Sequence, residues 1–261
     1  MILKVTLQES LGVSGMLNLL KMELRKLKTS KSFYFFIFLS LLQAILVYQL
    51  SGRLAATNGK NTFNYMLFLQ LSLSSGVTIG AFVVEVVCNE FTSGYIKNLI
   101  SYGHKRRNIY LAKAITAYTG ICIITFIAPI IITIINTHKN GFGEVFTTSS
   151  FLFLVKVFIM ALIAHIAIGS IAVLISFIVR KPVAGCVIIV GIDFINRFLN
   201  LVYVQKPNLR WVLDKYPYMQ LYSFFAEEIT KIQTIQSIMV FLFAILISTV
   251  LGIYILNRSD I

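Results

Sequence analysis

The chain has 261 residues, 57% of them hydrophobic and 13% charged, and a formal net charge of +13. A soluble domain carries about twice that charged share, so the composition argues against one and for a polytopic membrane protein. No base-stacking or helix-turn-helix pattern accompanies the positive charge; it reads as the loop charge of a membrane protein, and nucleic acid is not an expected partner.

The first predicted element is residues 16–31, MLNLLKMELRKLKTSK. Leu17, Leu20, Leu24 and Leu27 recur at spacings of three and four, with Lys21, Arg25 and Lys28 largely elsewhere, as in an amphipathic helix lying on a membrane surface. No cleavable signal peptide is expected, because the first apolar run starts at Phe33, behind basic residues, with no small-residue cleavage site after it.

Crossing a bilayer takes about 20 apolar residues. Six runs qualify, approximately 33–50, 64–88, 109–136, 150–179, 183–204 and 235–256. Pro129 should kink the third. With the N-terminus inside, inner segments carry 13 Lys and Arg and outer ones 7. Both termini are therefore expected in the cytoplasm.

In the second run Ser72, Gly76 and Gly80 form a small-xxx-small face suited to close helix packing. Glu85, near its inner end, is expected to pair with a basic neighbour such as Lys113. Residues 89–108 then leave the membrane as a short polar connection ending in Lys105, Arg106 and Arg107. In the fifth run Asp193, Asn196, Arg197 and Asn200 share one helical face, and Asp193 and Arg197 can pair. Polar groups in a span are costly, so this face should meet protein or water, either along a translocation path or at a subunit seam. Residues 205–234 are too polar to span and too aromatic for a free loop. Pro207 and Pro217 divide them into short helices at or in the outer leaflet, with Trp211, Tyr216, Tyr218, Tyr222, Phe224 and Phe225 at headgroup level.

Cys88, Cys122 and Cys186 are scattered in or beside apolar runs, and His104, His138 and His165 are equally dispersed, so no disulfide frame or metal site is expected. His165 reads as a structural histidine. No phosphate-binding loop is present, since Gly59-Lys60 is followed by Asn61. Glu227-Glu228 invites comparison with paired-glutamate intramembrane proteases, but the position three after the second Glu is Lys231 where those motifs have Arg. No catalytic residue is assigned, and the chain is not expected to be an enzyme.

The segment 89–113, NEFTSGYIKNLISYGHKRRNIYLAK, resembles the coupling region of ABC type-2 exporter permeases. The resemblance rests on Glu90, Gly94, Lys97-Asn98-Leu99, Arg106-Arg107, Ile109-Tyr110-Leu111 and Lys113, and on the tail Asn257-Arg258-Ser259-Asp260-Ile261. Tyr95 stands where the family has Thr. The resemblance implies an all-α integral membrane protein. Its single transmembrane domain would have six helices, an N-terminal interfacial helix, a cytoplasmic coupling helix and short extracellular helices before the last span. It further implies a soluble ATPase partner that binds ATP and magnesium, a second permease copy or close homologue, and membrane lipids around the chain. No cofactor is expected in this chain itself. In this reading Phe91, Tyr95 and Leu99, four residues apart, fill a groove on the ATPase, with Glu90, Lys97 and Lys105–Arg107 forming salt bridges at its rim. The low-Cys, Lys- and Ile-rich composition suits a bacterial cytoplasmic membrane. Small six-span permeases of this kind often expel amphipathic or antimicrobial peptides or other hydrophobic compounds, and include lantibiotic-immunity permeases. A competing class is a non-transporting sensor or immunity protein that binds peptide at its outer loop.

Overall fold

The structure is a computed structural model and describes residues 2–52, 56–69, 77–224 and 230–259, with the side chains of 2–14, 207 and 221–224 left undescribed. Among the described residues there is no strand. The helices are α1 (Ile2–Thr29), α2 (Lys31–Leu50), α3 (Gly59–Leu69), α4 (Gly80–Thr92), α5 (Tyr95–Ser101), α6 (Arg106–Asn140), α7 (Thr148–Val179), α8 (Pro182–Gln205), α9 (Arg210–Leu213), α10 (Pro217–Phe224) and α11 (Lys231–Arg258).

Helices α2, α6, α7, α8 and α11 are each long and apolar enough to cross a membrane; Val77–Thr92 with Tyr95–Ser101 makes a sixth candidate, bent by 61°. The chain is an all-α integral membrane protein. Of the run expected at 64–88, residues 64–69 lie in α3 and 77–88 are helical into α4; 70–76, with Ser72 and Gly76, lie outside the described residues.

Local chemistry sets the ends. Ser30 caps α2 by accepting from the Phe33 amide at 3.3 Å. Thr147–Ser150 and Thr230–Gln233 form reciprocal capping boxes on α7 and α11. Pro182 opens α8 where its missing N–H costs nothing. Pro129 lies inside α6 without ending it.

One expectation needs correction. Helix α1 starts well before Met16, since Gly12 and Gly15 do not interrupt it. Of its leucine stripe Leu17 is exposed and Leu27 is buried, together with Leu19 and Glu23. The reason is tertiary, because α1 docks against the start of α6 rather than presenting its apolar face to lipid alone.

Helix α6 is the central element, packed against α1, α2, α3, α7 and α11. The main core joins Phe82, Val83, Val84 and Val87 of α4 to Tyr110 and Ala117 of α6 and Phe177 of α7. Gly80 lets α4 approach α8 closely, since a Cβ there would lie 2.2 Å from Ile189 Cγ2.

Candidate functional site

The elbow between α4 and α6 begins where α4 runs out at Thr92. Gly94 adopts φ +71°, a left-handed conformation that a residue with a Cβ enters only with strain, and this turns the chain into α5. At the far end Gly103 has φ +86°, and the His104 amide donates to the Leu99 carbonyl at 3.2 Å, a Schellman closure. A seven-residue helix is thus held between two glycine turns, too short to be stable except through what it touches.

What it touches is a buried ionic cluster. Glu23 and Lys26 come from α1, Glu90 from the end of α4 and Lys113 from the second turn of α6. Lys113 is 1% exposed and is paired with both Glu23 and Glu90, themselves 2% and 16% exposed. Lys26 Nζ extends the chain of pairs, 3.0 Å from Glu90 Oε1. The Tyr95 ring lies beneath both ammonium groups, with Lys26 Nζ 3.1 Å and Lys113 Nζ 5.3 Å from its centroid. Two carboxylates and two ammoniums balance, which allows charge to be buried here at all. Burial pushes the Glu23 carboxyl above its ordinary value; Lys113 opposes this and Glu90 adds to it. Burial, with Glu23 beside it, raises the Tyr95 phenol as well.

The residues singled out in the elbow therefore divide. Leu99 and Ile96 are buried against Leu19, Ile109 and Ala112. Phe91 packs edge-on to Phe177 at 5.5 Å with the Arg180 guanidinium 5.4 Å from its ring. Glu90 and Tyr95 point into the ionic cluster. The row Phe91–Tyr95–Leu99 consequently faces the chain's own helices, because the bend at Gly94 turns that side of the elbow toward α1 and α6. Exposed instead are Ser93, Lys97, Asn98, Ser101, Tyr102, Lys105 and Arg107. Tyr102, 81% exposed, was not singled out in the sequence; a large aromatic at the tip of a polar loop is the signal for it.

Arg106 does something different again. Its Nη1 donates to the carbonyls of Leu256, Asn257 and Ser259 at 2.8, 3.1 and 2.6 Å. It thereby satisfies the carbonyls at the end of α11, which no helical N–H can reach, with a charge of the right sign for that end. The tail beyond Ser259 lies outside the described residues. Glu85 does not reach Lys113; it accepts from Ser32 Oγ at 2.7 Å, and Lys113 is taken by Glu23 and Glu90.

Midway along α8, Asp193 and Asn196 turn inward and are 4% and 3% exposed. Tyr218 donates its phenol proton to Asp193 Oδ1 at 3.1 Å and Tyr216 donates to Asn196 Oδ1 at 2.5 Å. Arg197 leans back to bond Asp193 Oδ2 at 2.9 Å, and Asn200 is only half-buried. The polar face thus meets protein, the segment just before and within α10. Beside these bonds a cleft of about 50 Å³ is lined by Gly80, Ala172 and the isoleucines Ile168, Ile171, Ile175, Ile189 and Ile192 together with Asp193, Asn196, Tyr216 and Tyr218. Burial raises the Tyr216 phenol, which favours its protonated, donating form. Glu227 and Glu228 lie outside the described residues.

Residues 19–196 match the model of the ABC-2 family transporter proteins. The chain belongs to that family. No curated protein matches it. As an ABC-2 chain it is a permease subunit of an ABC transporter, a multi-pass membrane protein that works with a separate ABC ATPase. The match runs from within α1 to within α8 and so contains the elbow, the ionic cluster and Asp193.

Proposed function

We propose that this permease exports an amphipathic or antimicrobial peptide, or a similarly amphipathic hydrophobic compound, across a bacterial cytoplasmic membrane with both termini inside. The observation that carries the export mechanism is the two-sided elbow. One side is locked into the protein by Glu23, Lys26, Glu90 and Lys113, and the other presents Lys97, Asn98, Tyr102, Lys105 and Arg107 outward.

The outward side is the surface on which an ATPase docks: an aromatic anchor ringed by cations. The inward side is what makes docking useful. A push on α5 is transmitted to α1 and α6 through Tyr95, seated under Lys26 and Lys113, and through Ile96 and Leu99, and the Arg106 contact carries it to the end of α11. The helices then move as rigid bodies when the ATPase subunits close on ATP. A second copy of the chain or a close homologue completes an enclosed path, which one set of six helices leaves open. The cleft under Tyr216 and Tyr218 supports an amphipathic cargo, because it joins an isoleucine-rich wall to one carboxylate and one amide.

The test is co-purification and ATPase activity. Tyr102→Ala with Lys97→Glu should abolish retention of the ATPase while the permease remains folded in the membrane. Full retention and full peptide-stimulated ATP hydrolysis in that variant would remove the elbow from the docking surface.

A further inference from the structure

One charged surface has no role in this mechanism. On α1, Lys21, Arg25 and Lys28 follow at spacings of four and three and lie on the side of the helix facing away from Leu19, Glu23 and Leu27. All three are exposed, and none forms an ion pair with a described carboxylate. Their neighbour Lys26, by contrast, is drawn into the buried cluster through Glu90. The sequence thus spends one cation on the interior and keeps three exposed in a row.

Where the row sits decides what it meets. A single residue, Ser30, separates α1 from α2. The first exposed residues of α2 are Lys31, Tyr34 and Phe35, and Tyr34 returns its hydroxyl to the Lys28 carbonyl at 2.9 Å. Tyr34, Phe35 and Phe38, all more than half exposed, mark the first turns of a membrane-crossing helix. Lys28 and Lys31 are therefore at the depth where lipid headgroups begin, and Leu17 and Met22 add exposed apolar contacts along the same helix.

We infer that Lys21, Arg25, Lys28 and Lys31 form a binding surface for anionic membrane lipid, engaging headgroup phosphates along α1. The partner is lipid rather than an acidic protein because the row runs down to the aromatic turn of α2. The ATPase-facing cations, Lys97, Lys105 and Arg107, belong to a different element. This inference needs α2 to cross a membrane; it does not depend on export or on the cargo. Its consequence is that the helix bearing half of the ionic cluster is also held by the bilayer.

The experiment reconstitutes the full-length chain in phosphatidylcholine nanodiscs and measures the immobilised fraction of spin-labelled phosphatidylglycerol against spin-labelled phosphatidylcholine. The wild-type chain should prefer phosphatidylglycerol, each engaged cation contributing up to about fivefold. Lys21→Gln/Arg25→Gln/Lys28→Gln/Lys31→Gln should bring the preference to parity. Lys97→Gln/Lys105→Gln/Arg107→Gln should leave it intact. If the quadruple α1 variant fails to insert, salt titration of the wild-type chain decides instead: screening should erase the preference. No preference in the wild-type chain, a preference that persists in the α1 variant, or one lost only in the elbow variant overturns the inference. So does an α1 variant that keeps its lipid preference and loses the ATPase, which would make the surface a protein contact.

Discussion

Two short helices, α5 in the elbow and α10 beside the middle of α8, are fastened to the spans by different chemistry. Helix α5 is seated on charge: its Tyr95 ring lies under Lys26 and Lys113, which pair with Glu90 just before it, and Lys113 also pairs with Glu23. Helix α10 and the residue before it are tied by phenols, Tyr218 to Asp193 and Tyr216 to Asn196. Removing one member of a buried charge cluster leaves the others uncompensated, whereas a phenol bond is a modest contribution that opens and re-forms singly. The ionic fastening suits a strut that transmits force. The phenolic one suits a cover that parts and closes over the cleft.

The comparison breaks most sharply at Lys113. Lys113→Met should strand Glu23 and Glu90 and cost about 3–5 kcal/mol, seen as a large drop in detergent melting temperature. Pairing it with Glu23→Gln should recover much of the loss, because the remaining Glu90–Lys26 pair is neutral. If Lys113→Met alone melts like the wild-type chain, the strut is not ionic.

Gly94→Ala comes next. Nothing lies within 4 Å of an added Cβ, so the expected cost of about 1–2 kcal/mol is backbone strain alone. A small loss of stability should accompany a large loss of cargo-stimulated ATP hydrolysis, since the 61° bend aims α5. Loss of both in proportion would make Gly94 merely structural.

At α10, Tyr218→Phe should cost about 1 kcal/mol and Tyr216→Phe a similar amount, with little effect on ATPase association. Cysteine-reactive labelling of a single Cys placed beside Pro217 should speed up if the cover opens more often. Unchanged labelling in both variants would mean that packing, not the phenols, holds α10.

Much of the fold was legible because a long apolar run has few alternatives, and the ends of α2, α6, α7, α8 and α11 lie within a few residues of the expected spans. The elbow's existence was legible from Glu90, Gly94 and the basic cluster, but not its orientation. Spacing alone puts Phe91, Tyr95 and Leu99 on one face; only the docking of α1 against α6 says that this face is internal. A clue was present in Glu23, which sits at helical spacing between Leu19 or Leu20 and Leu27 and so places an acid on an apolar stripe. Such a residue demands a buried cation, and Lys113, an isolated lysine in an apolar run, was available. Asp193 and Asn196 were legible as a polar face seeking partners. That Tyr216 and Tyr218 would supply them, some 20 residues on, was hidden because their segment reads equally well as an interfacial aromatic belt.

The smallest expected effect concerns pH and isolates Glu23 from its neighbours. Its carboxyl is raised in the folded chain, chiefly by burial. A carboxyl with a raised folded pKa binds its proton more tightly folded than unfolded. Between the ordinary value of 4.5 and the raised one, stability should therefore fall as pH rises and recover on acidification. Glu23→Gln removes this group and should flatten that part of the melting-temperature profile, leaving the acid limb due to other carboxylates. A profile of unchanged shape would mean that Lys113 holds Glu23 fully ionised, making the cluster more rigidly ionic than its burial implies.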